Sequence, residues 1–393
     1  MAQFIATRLA QSVVTLLLFI TFTYAVIQAI PGDITLVYLQ NPRITAEARR
    51  AIASQLGLDQ PLWRQYLLYI RNVFTGNLGV SFSRYPTPVW QILAERLPRT
   101  VTLFFTATIV SFYIGFLLGR IIAWRRGAMV DLVATGTGVA FWTAFYPLLA
   151  LVLMWLFAFK AGWLPLNQFI DPNLWRAAPV DSNTVFRRLV ANLLAVSGLL
   201  VVAYWVGLPR IGTVLGRVLV HGALWVGCAG ASIAWWAQSG LGRYALDIVA
   251  HMVLPILALS LINFGGTMLL MRDSMLETIR EDYVVAAKAR GLPERVVRDR
   301  YAARTALLPV VTSLTLSIGA VASGGIITES LFSWPGIGQI LVEASAVQDY
   351  PLAIGAFTVT GIFLVLAHIV ADLLHATLDP RLRIKGGEVT AAE

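Results

Sequence analysis

The sequence predicts an all-helical integral membrane protein, from its composition, its long apolar segments and the placement of its basic residues. Of the 393 residues, 58% are hydrophobic and 13% are charged, and the mean hydropathy is +0.72. Soluble domains carry roughly 25% charged residues, and an ordinary globular core could not bury this much apolar surface. Soluble enzymes and disordered chains are therefore disfavoured. The single cysteine, Cys228, also argues against a disulfide scaffold or a multi-cysteine metal site.

Eight segments of twenty or more residues contain no Asp, Glu, Lys or Arg and are rich in aliphatic residues and Phe. About 20 apolar residues cross a bilayer as a helix, and backbone amides left unpaired in hydrocarbon would be costly. The first segment is too long for a signal-peptide core and lacks a small-residue cleavage site. We therefore predict eight transmembrane helices, the first of them uncleaved: 9–32, 100–119, 132–159, 189–209, 218–242, 248–271, 305–328 and 350–371.

The basic residues predict that both termini are cytoplasmic. With the N-terminus inside, the inner segments hold 17 Lys and Arg residues, against 5 in the short outer loops. The long segment 33–99 is left out of this comparison because long translocated segments largely escape the positive-inside rule. The net charge of +9 is explained by this topology. A nucleic-acid partner is not expected, since the main basic concentration adjoins a membrane and is interleaved with carboxylates.

Segment 33–99 is too long to be a simple connector and is expected to form an extracytoplasmic loop domain with amphipathic helices. One helix is expected to begin near the N-cap residue Thr45. After Pro61, apolar residues at helical spacing mark one face of a second helix. Two roles remain open. The segment is either a docking platform for a partner outside the membrane, or an interfacial helix with Trp63 and the tyrosines at the headgroups.

Segment 272–304 is the most informative stretch, because it is charged yet contains an apolar small-residue face from Tyr283 to Ala287. A helix is expected to end at Gly291, since glycine suits the left-handed C-terminal position, and Pro293 can open the next helix. Adjacent alanines permit close approach of another backbone, so the face suits docking in a groove of another protein. The alternative is a pair of amphipathic connectors on the bilayer surface.

The run from Ala286 to Leu292 is followed by a second short motif at 304–309. Further motif-like stretches occur in order along the chain, in the segments 56–62, 76–81, 96–100, 332–338, 349–351 and 378–381. With these stretches the sequence resembles a known family, the permeases of ABC importers, and more narrowly the B-type (first) permeases of the dipeptide/oligopeptide/nickel family. The run 286–292 with 304–309 is similar to the EAA loop of these proteins. The resemblance covers about 1–160 and 246–385, and it implies a type I ABC-importer permease fold in the cell inner membrane.

The resemblance further implies a transport subunit that is not an enzyme and holds no cofactor of its own. ATP and Mg would be bound by two nucleotide-binding ATPase subunits, alongside a second homologous permease subunit and an extracytoplasmic solute-binding protein. The EAA-like segment would be a coupling helix seated on the ATPase. At the matching positions stand Tyr283, Ala286, Ala287, Gly291 and Leu292. Di- or oligopeptides are the expected cargo, with nickel or oligosaccharides as alternatives.

Two departures from the family pattern stand out. Val285 replaces the acidic residue that opens the EAA consensus, so no salt bridge is assigned there. The family usually has only a short loop where this chain has an atypical insertion with two extra apolar segments. The expected organisation is a first transmembrane helix, the outer loop domain, two transmembrane helices, the insertion, a permease core containing the coupling loop 272–304, and a tail: 1–32, 33–99, 100–159, 160–245, 246–385 and 386–393.

Other transport and catalytic classes find less support in the sequence. An ion-coupled secondary transporter would carry ionisable residues within its spans, and none of the eight segments contains one. No P-loop motif is present, and the four histidines lack the spacing of a zinc protease, so no catalytic or metal-binding residue is predicted. Small and polar residues near the end of the seventh segment form a candidate translocation path or gate, with tight helix packing as the alternative: Ser323, Gly324, Gly325, Thr328 and Glu329.

The outer segment 329–351 is expected to form a turn and a short helix before the last span. It contains Trp334, a residue type that is frequent at membrane interfaces, and its 329–349 part has no Lys or Arg. It is either an interfacial cap or a contact for the solute-binding protein, and the sequence does not decide between them.

Overall fold

The structure is a computed structural model that describes residues 2–29, 60–203, 214–321 and 325–378. The predicted helix near Thr45, the candidate gate residues Ser323 and Gly324, and the tail 386–393 lie outside the described residues. Where it is described, the chain is helical, and its strand-like pairing is an isolated bridge between Val80 and Pro88.

The described helices are numbered here in chain order. They are α1 (Ala2–Ala29), α2 (Leu62–Phe74), α3 (Val89–Trp124), α4 (Met129–Trp142), α5 (Tyr146–Leu153), α6 (Ser182–Val202), α7 (Val214–Gln238), α8 (Gly242–Thr278), α9 (Asp282–Ala289), α10 (Ala303–Ala320), α11 (Ile326–Leu331), α12 (Ile337–Ala346) and α13 (Tyr350–Leu378). Short turns join them, among them Glu294–Val296 and a π-helical turn, Val297–Ala302, that leads into α10.

Within the described residues, five helices are long and apolar enough to cross a membrane, or six if one bent pair counts as a single span. The five are α3, α6, α8, the helical stretch Glu294–Ile318 and the part of α13 from Tyr350 to Val370. Helices α1 and α7 occupy two further predicted segments. The chain is thus a multi-pass helical membrane protein. Eight spans and cytoplasmic termini remain predictions.

The third predicted segment, 132–159, is not one continuous helix. The chain bends by 106° between α4 and the stretch Tyr146–Lys160. Pro147 explains the break, because it has no N–H to donate to the carbonyl of Thr143, and its ring would clash with that carbonyl in a continuous helix. Thr143 instead ends α4, with its hydroxyl bonded to the Val139 carbonyl at 2.9 Å.

The chain divides into two compact units, one of Met1–Leu153 with Pro255–Glu393 and the other of Met154–Leu254. The second unit contains the segment 160–245, whose reading as an insertion stays a prediction. Within it, α6 begins at the N-cap Asp181, whose carboxylate accepts the Asn183 N–H at 2.9 Å. An open groove of about 720 Å³ lies between α6 and α7 and is lined mainly by small and aliphatic side chains.

In the first unit, glycines allow α3 to approach α8 closely. A Cβ at Gly115 would lie 2.7 Å from the Cβ of Thr267, and one at Gly119 would lie 2.6 Å from the Met268 carbonyl oxygen. Small residues at such four-residue spacing let helix backbones pack together in membranes, where dispersion contacts replace the hydrophobic effect. The short distance between α3 and α8 therefore depends on the lack of a side chain at Gly115 and Gly119.

A fully buried carboxylate, Glu329, joins α11 to the start of α12. Its oxygens accept the Thr100 hydroxyl at 2.8 Å and the Gln339 N–H at 3.0 Å, and Thr100 in turn accepts the Ile337 N–H at 2.8 Å. These contacts satisfy amides that a helix N-terminus leaves without partners. A Cβ at Gly336 would overlap the carboxylate. Burial raises the pKa of the Glu329 carboxyl, while its hydrogen bonds oppose that rise.

A second fully buried carboxylate, Asp349, stands at the start of α13. It accepts hydrogen bonds from the Ser81 hydroxyl, from the Ser83 N–H at 2.9 Å and from the Leu352 N–H at 3.3 Å. Asp349 therefore caps α13 and also holds the turn that precedes α3. The family-like stretches 76–81 and 349–351, distant in sequence, meet at this carboxylate.

The helix contact at Gly119 can be tested with a matched pair of glycine substitutions. Gly119→Ala forces a methyl group against the backbone of α8, and overpacking of this kind costs about 1–3 kcal/mol in the free energy of unfolding. Gly136→Ala on α4 meets no atom within 4 Å and should leave stability unchanged or raised. Denaturant unfolding of both variants in detergent checks this. Equal stability would contradict the close approach.

The role of Glu329 can be tested against an exposed carboxylate. Glu329→Gln places an amide N–H against the hydrogen-bond donors of Thr100 or Gln339, which should cost about 1–3 kcal/mol in unfolding free energy. Glu343→Gln breaks only the exposed 3.0 Å ion pair with Arg84, so its expected cost is about 0–1 kcal/mol. The same unfolding measurement compares them, and a smaller loss for Glu329→Gln than for Glu343→Gln would refute the assignment.

Candidate functional site

The predicted coupling segment is a short helix held between two longer ones. After α8 ends at Thr278, a turn leads into α9, which is capped at Arg290. Gly291 follows with a φ of +74°, in the left-handed region that glycine adopts without strain. Pro293 then precedes the short helix Glu294–Val296. The predicted helix end at Gly291 and the new start at Pro293 are confirmed.

Helix α9 has one buried side and one exposed side. Val284 and Ala287 are 0% and 2% exposed and lie in an apolar cluster within the first unit. The other buried members of this cluster come from α3, α8, the π-helical turn and α10: Ala123, Met271, Met275, Val297, Ala302, Ala303, Ala306 and Val310. The cluster fixes α9 to the ends of α3, α8 and α10. If α9 shifted, the apolar side chains of the cluster would lose their contacts and become exposed.

The exposed side of α9 carries the other predicted coupling residues. Tyr283 is 41% exposed, and Ala286 and Gly291 are also exposed. Leu292 is half-buried against the apolar cluster. The sequence placed both alanines on one docking face, and the structure separates them: Ala286 is exposed, whereas Ala287 is packed inside its own chain. Successive residues on a helix differ in direction by about 100°, which is why the pair divides.

Polar contacts add to this anchoring. The Tyr283 hydroxyl donates to Thr305 Oγ1 at 2.9 Å. Lys288 Nζ lies 5.0 Å from the centre of the Trp124 ring, and Trp124 Nε1 donates to a carboxylate oxygen of Glu294 at 3.4 Å. The exposed tip of the segment is thereby connected to both α3 and α10.

A carboxylate–arginine pair joins α4 to α8 beside this region. Arg272 donates to both oxygens of Asp131, at 2.8 and 3.1 Å, and Asp131 also accepts the Gly127 N–H at 3.0 Å. A bidentate pair of this kind is both strong and directional. It holds the turn between α3 and α4 against the end of α8, so the helix ends around α9 form a connected unit.

A cavity of about 430 Å³ lies between α3, α4, α8 and α10. Aromatic, small and apolar residues contribute to its wall, and the described residues that line it include no charged side chain. The polar lining consists of neutral hydroxyl and amide groups: Thr108, Ser111, Asn263, Thr267, Ser313 and Ser317. Such a wall offers hydrogen bonds without a fixed charge, so it can accommodate a polar solute without selecting for the sign of its charge.

The described candidate gate residues do not form a single lining. Gly325 borders Phe104, a cavity residue, and a Cβ at Gly325 would lie 2.6 Å from the Phe104 ring. Thr328 and Glu329 are buried, and the Glu329 side chain is engaged with Thr100 and Gln339. The sequence reasoning missed the cavity residues. The available signal was the recurrence of Ser, Thr and Asn within otherwise apolar segments.

The sequence of this chain matches two protein-family models. The model described as "Binding-protein-dependent transport system inner membrane component" matches residues 115–384. The model described as "Binding-prot-dependent transport system membrane comp, N-term" matches residues 1–104. Together they leave 105–114, in the middle of α3, unmatched, and they include the coupling segment and α4, α8 and α10 of the cavity.

Curated relatives align over nearly the whole chain. It is 31% identical to the dipeptide transport system permease protein DppB of Escherichia coli (strain K12), over 98% of this chain and 100% of the relative. It is 31% identical to the di/tripeptide transport system permease protein DppB of Pseudomonas aeruginosa, over 98% and 99%. It is 25% identical to the oligopeptide transport system permease protein AppB of Bacillus subtilis, over 97% and 99%. The chain therefore belongs to the family of binding-protein-dependent transport system inner membrane components.

Proposed function

We propose that this chain is a membrane-spanning permease subunit of an ATP-driven importer that takes up di- or oligopeptides. The observation that carries the proposal is the uncharged cavity between α3, α4, α8 and α10, which lies in the same compact unit as the anchored helix α9. The peptide cargo is supported by the relatives from Escherichia coli, Pseudomonas aeruginosa and Bacillus subtilis, which are named as dipeptide, di/tripeptide and oligopeptide permeases.

The neutral cavity suits peptides because their shared feature is the backbone amide. Ser, Thr and Asn side chains can exchange hydrogen bonds with amide N–H and C=O groups, while the adjacent Phe104, Phe112 and Trp142 can contact side chains of varied size. Loose contacts of this kind let a solute enter and leave. Recognition of the particular peptide would then rest with an extracytoplasmic solute-binding protein.

Transport would be driven through α9. In this proposal a nucleotide-binding ATPase subunit holds the exposed side of α9, and a second ATPase subunit holds the matching helix of a homologous permease. ATP and Mg would bind to those partners. Because Val284 and Ala287 are packed among side chains of α3, α8 and α10, movement of α9 would carry those helices with it. The result would be alternating access of the cavity to the two sides of the membrane.

The coupling proposal predicts different results at the two adjacent alanines. Ala286→Arg puts a charge on the exposed docking side, and a charge buried without a partner at an interface costs about 2–5 kcal/mol, or about 30-fold or more in affinity. Co-purification of the ATPase subunits in mild detergent measures this. The variant should stay folded and lose the ATPases.

Two controls make that test specific. Ala286→Ser preserves the size of the side chain and should retain the ATPases. Ala287→Arg places the charge in the chain's own apolar cluster and should reduce the amount of folded chain. An Ala286→Arg variant that co-purifies with ATPases as the unaltered chain does would contradict the coupling role of this face. A chain that purifies without any P-loop ATPase would instead favour an ion-coupled secondary transporter.

The pathway proposal predicts that a bulky residue in the cavity blocks uptake. Ser317→Trp fills part of the space between α10 and α8, whereas Ser317→Ala removes only a hydroxyl that bonds to the Ser313 carbonyl at 2.9 Å. In cells lacking the native gene, uptake of radiolabelled di- and tetrapeptides should fall to background with Ser317→Trp and persist with Ser317→Ala.

The same uptake assay tests the identity of the cargo separately from the role of the cavity as the transport path. Uptake of labelled nickel or oligosaccharide in place of peptides by the unaltered complex would reject the peptide cargo and retain the importer. Full peptide uptake by an assembled Ser317→Trp complex would reject this cavity as the path.

A further inference from the structure

Helix α2 carries two different stripes on its exposed side. Trp63, Leu67 and Phe74 are 61%, 54% and 62% exposed, respectively. At about 100° per residue these three lie within about 40° of one another around the helix. Arg64 and Arg71, both exposed, lie within about 20° of each other and form an adjoining stripe. An apolar stripe next to a basic stripe is the pattern of helices that lie in a membrane interface.

The opposite side of α2 fixes its position relative to two long apolar helices. The Tyr66 hydroxyl shares a 2.6 Å hydrogen bond with Thr21 of α1, and the Tyr69 hydroxyl shares a 3.0 Å hydrogen bond with Thr358 of α13. The Tyr24 ring lies 5.3 Å from the Tyr66 ring. Tyrosines collect where apolar spans reach the headgroups, so this cluster marks the level of the interface.

The helix that α2 contacts, α1, also exposes large apolar side chains. On α1, Leu18 and Phe22 are 65% and 61% exposed, as expected for the outer face of a helix in a multi-pass membrane protein. Phe22 directly follows Thr21, and Leu67 directly follows Tyr66. The hydrogen bond between Thr21 and Tyr66 therefore joins α1 and α2 at a level where each helix also exposes an apolar side chain, Phe22 and Leu67.

We propose that α2 lies in the membrane interface, with its apolar stripe among acyl chains and its two arginines on the phosphates of anionic phospholipids. Guanidinium groups match phosphate geometry through paired N–H donors. Arg64 also lies over the Trp63 ring at 5.5 Å, which joins the two stripes at one end of the helix. This assignment is independent of the transported cargo.

The competing occupant is a protein. A stable protein partner buries about 800 Å² on each side, and an exposed stripe of three apolar residues on one helix is narrow for that. Two adjoining arginines complement phosphates directly. The shape and the charge of the surface thus both favour lipid over a protein contact.

The test uses the full chain in lipid nanodiscs with a fluorophore on a single cysteine. Cys228→Ala removes the one native thiol, and Leu67→Cys or Phe22→Cys supplies the labelling position. Acyl-brominated phosphatidylcholine should quench the label at position 67 about as strongly as the label at position 22. Brominated phosphatidylglycerol should quench position 67 at lower mole fraction, with the preference weakened by about fivefold for each of Arg64→Gln and Arg71→Gln.

Arg71→Lys is the matched control, since it keeps the charge and should retain most of the preference for phosphatidylglycerol. A label at position 67 that no brominated lipid quenches, while position 22 is quenched, would overturn the proposal and show that protein covers the stripe. Equal quenching by both lipids, unaltered by Arg64→Gln and Arg71→Gln, would overturn the phosphate contact. Thermal unfolding of each variant verifies that the chain stays folded.

Discussion

The close approach of α3 to α8 is the contact on which the other features of the first unit depend. Gly115 and Gly119 remove the side chains that would separate the two backbones. Along the same pair of helices, the cavity lies on one side of this contact, with Ser111 on α3 and Asn263 on α8. The apolar cluster under α9 lies on the other, with Ala123 and Met271. In lipid no hydrophobic effect drives helices together, so this packing has to come from complementary shape.

The buried carboxylates of the described residues lie where helices begin or end. Glu329 and Asp349 are fully buried carboxylates, yet each accepts amide and hydroxyl hydrogens at a helix start. Asp131 and Arg272 pair at the junction of α4 with α8. A buried charge without partners would be very costly, so these groups hold specific turns in place. The long helices themselves meet through neutral residues, which leaves a neutral cavity between them.

The sequence predicted much of this correctly for an identifiable reason. A charge-free apolar segment of twenty residues predicts a helix in lipid directly. Gly291 and Pro293 predict a helix end and a new helix start, because each residue has a strong local backbone preference. The prediction of one continuous helix over 132–159 was wrong, although Pro147 was visible in that segment. Composition averages hide a single residue that removes a hydrogen bond, because one proline barely alters the hydropathy of a long apolar segment. The G-x-x-x-G motif formed by Gly115 and Gly119 could also be seen in the sequence. The motif is too frequent to identify a helix contact by itself.

The sequence by itself determined that this is a helical membrane protein of a transporter family, since apolar run length and ordered motifs need no tertiary information. Only the tertiary structure decided which small residues are buried within the chain and which are exposed. It placed Ala287 in the chain's own core and left Ala286 exposed, and it brought Asp349 onto Ser81 across most of the chain. It also gathered hydroxyls from α3, α8 and α10 around one cavity. The physical reason is that side-chain direction and long-range contact depend on how whole helices pack, which local sequence patterns do not encode.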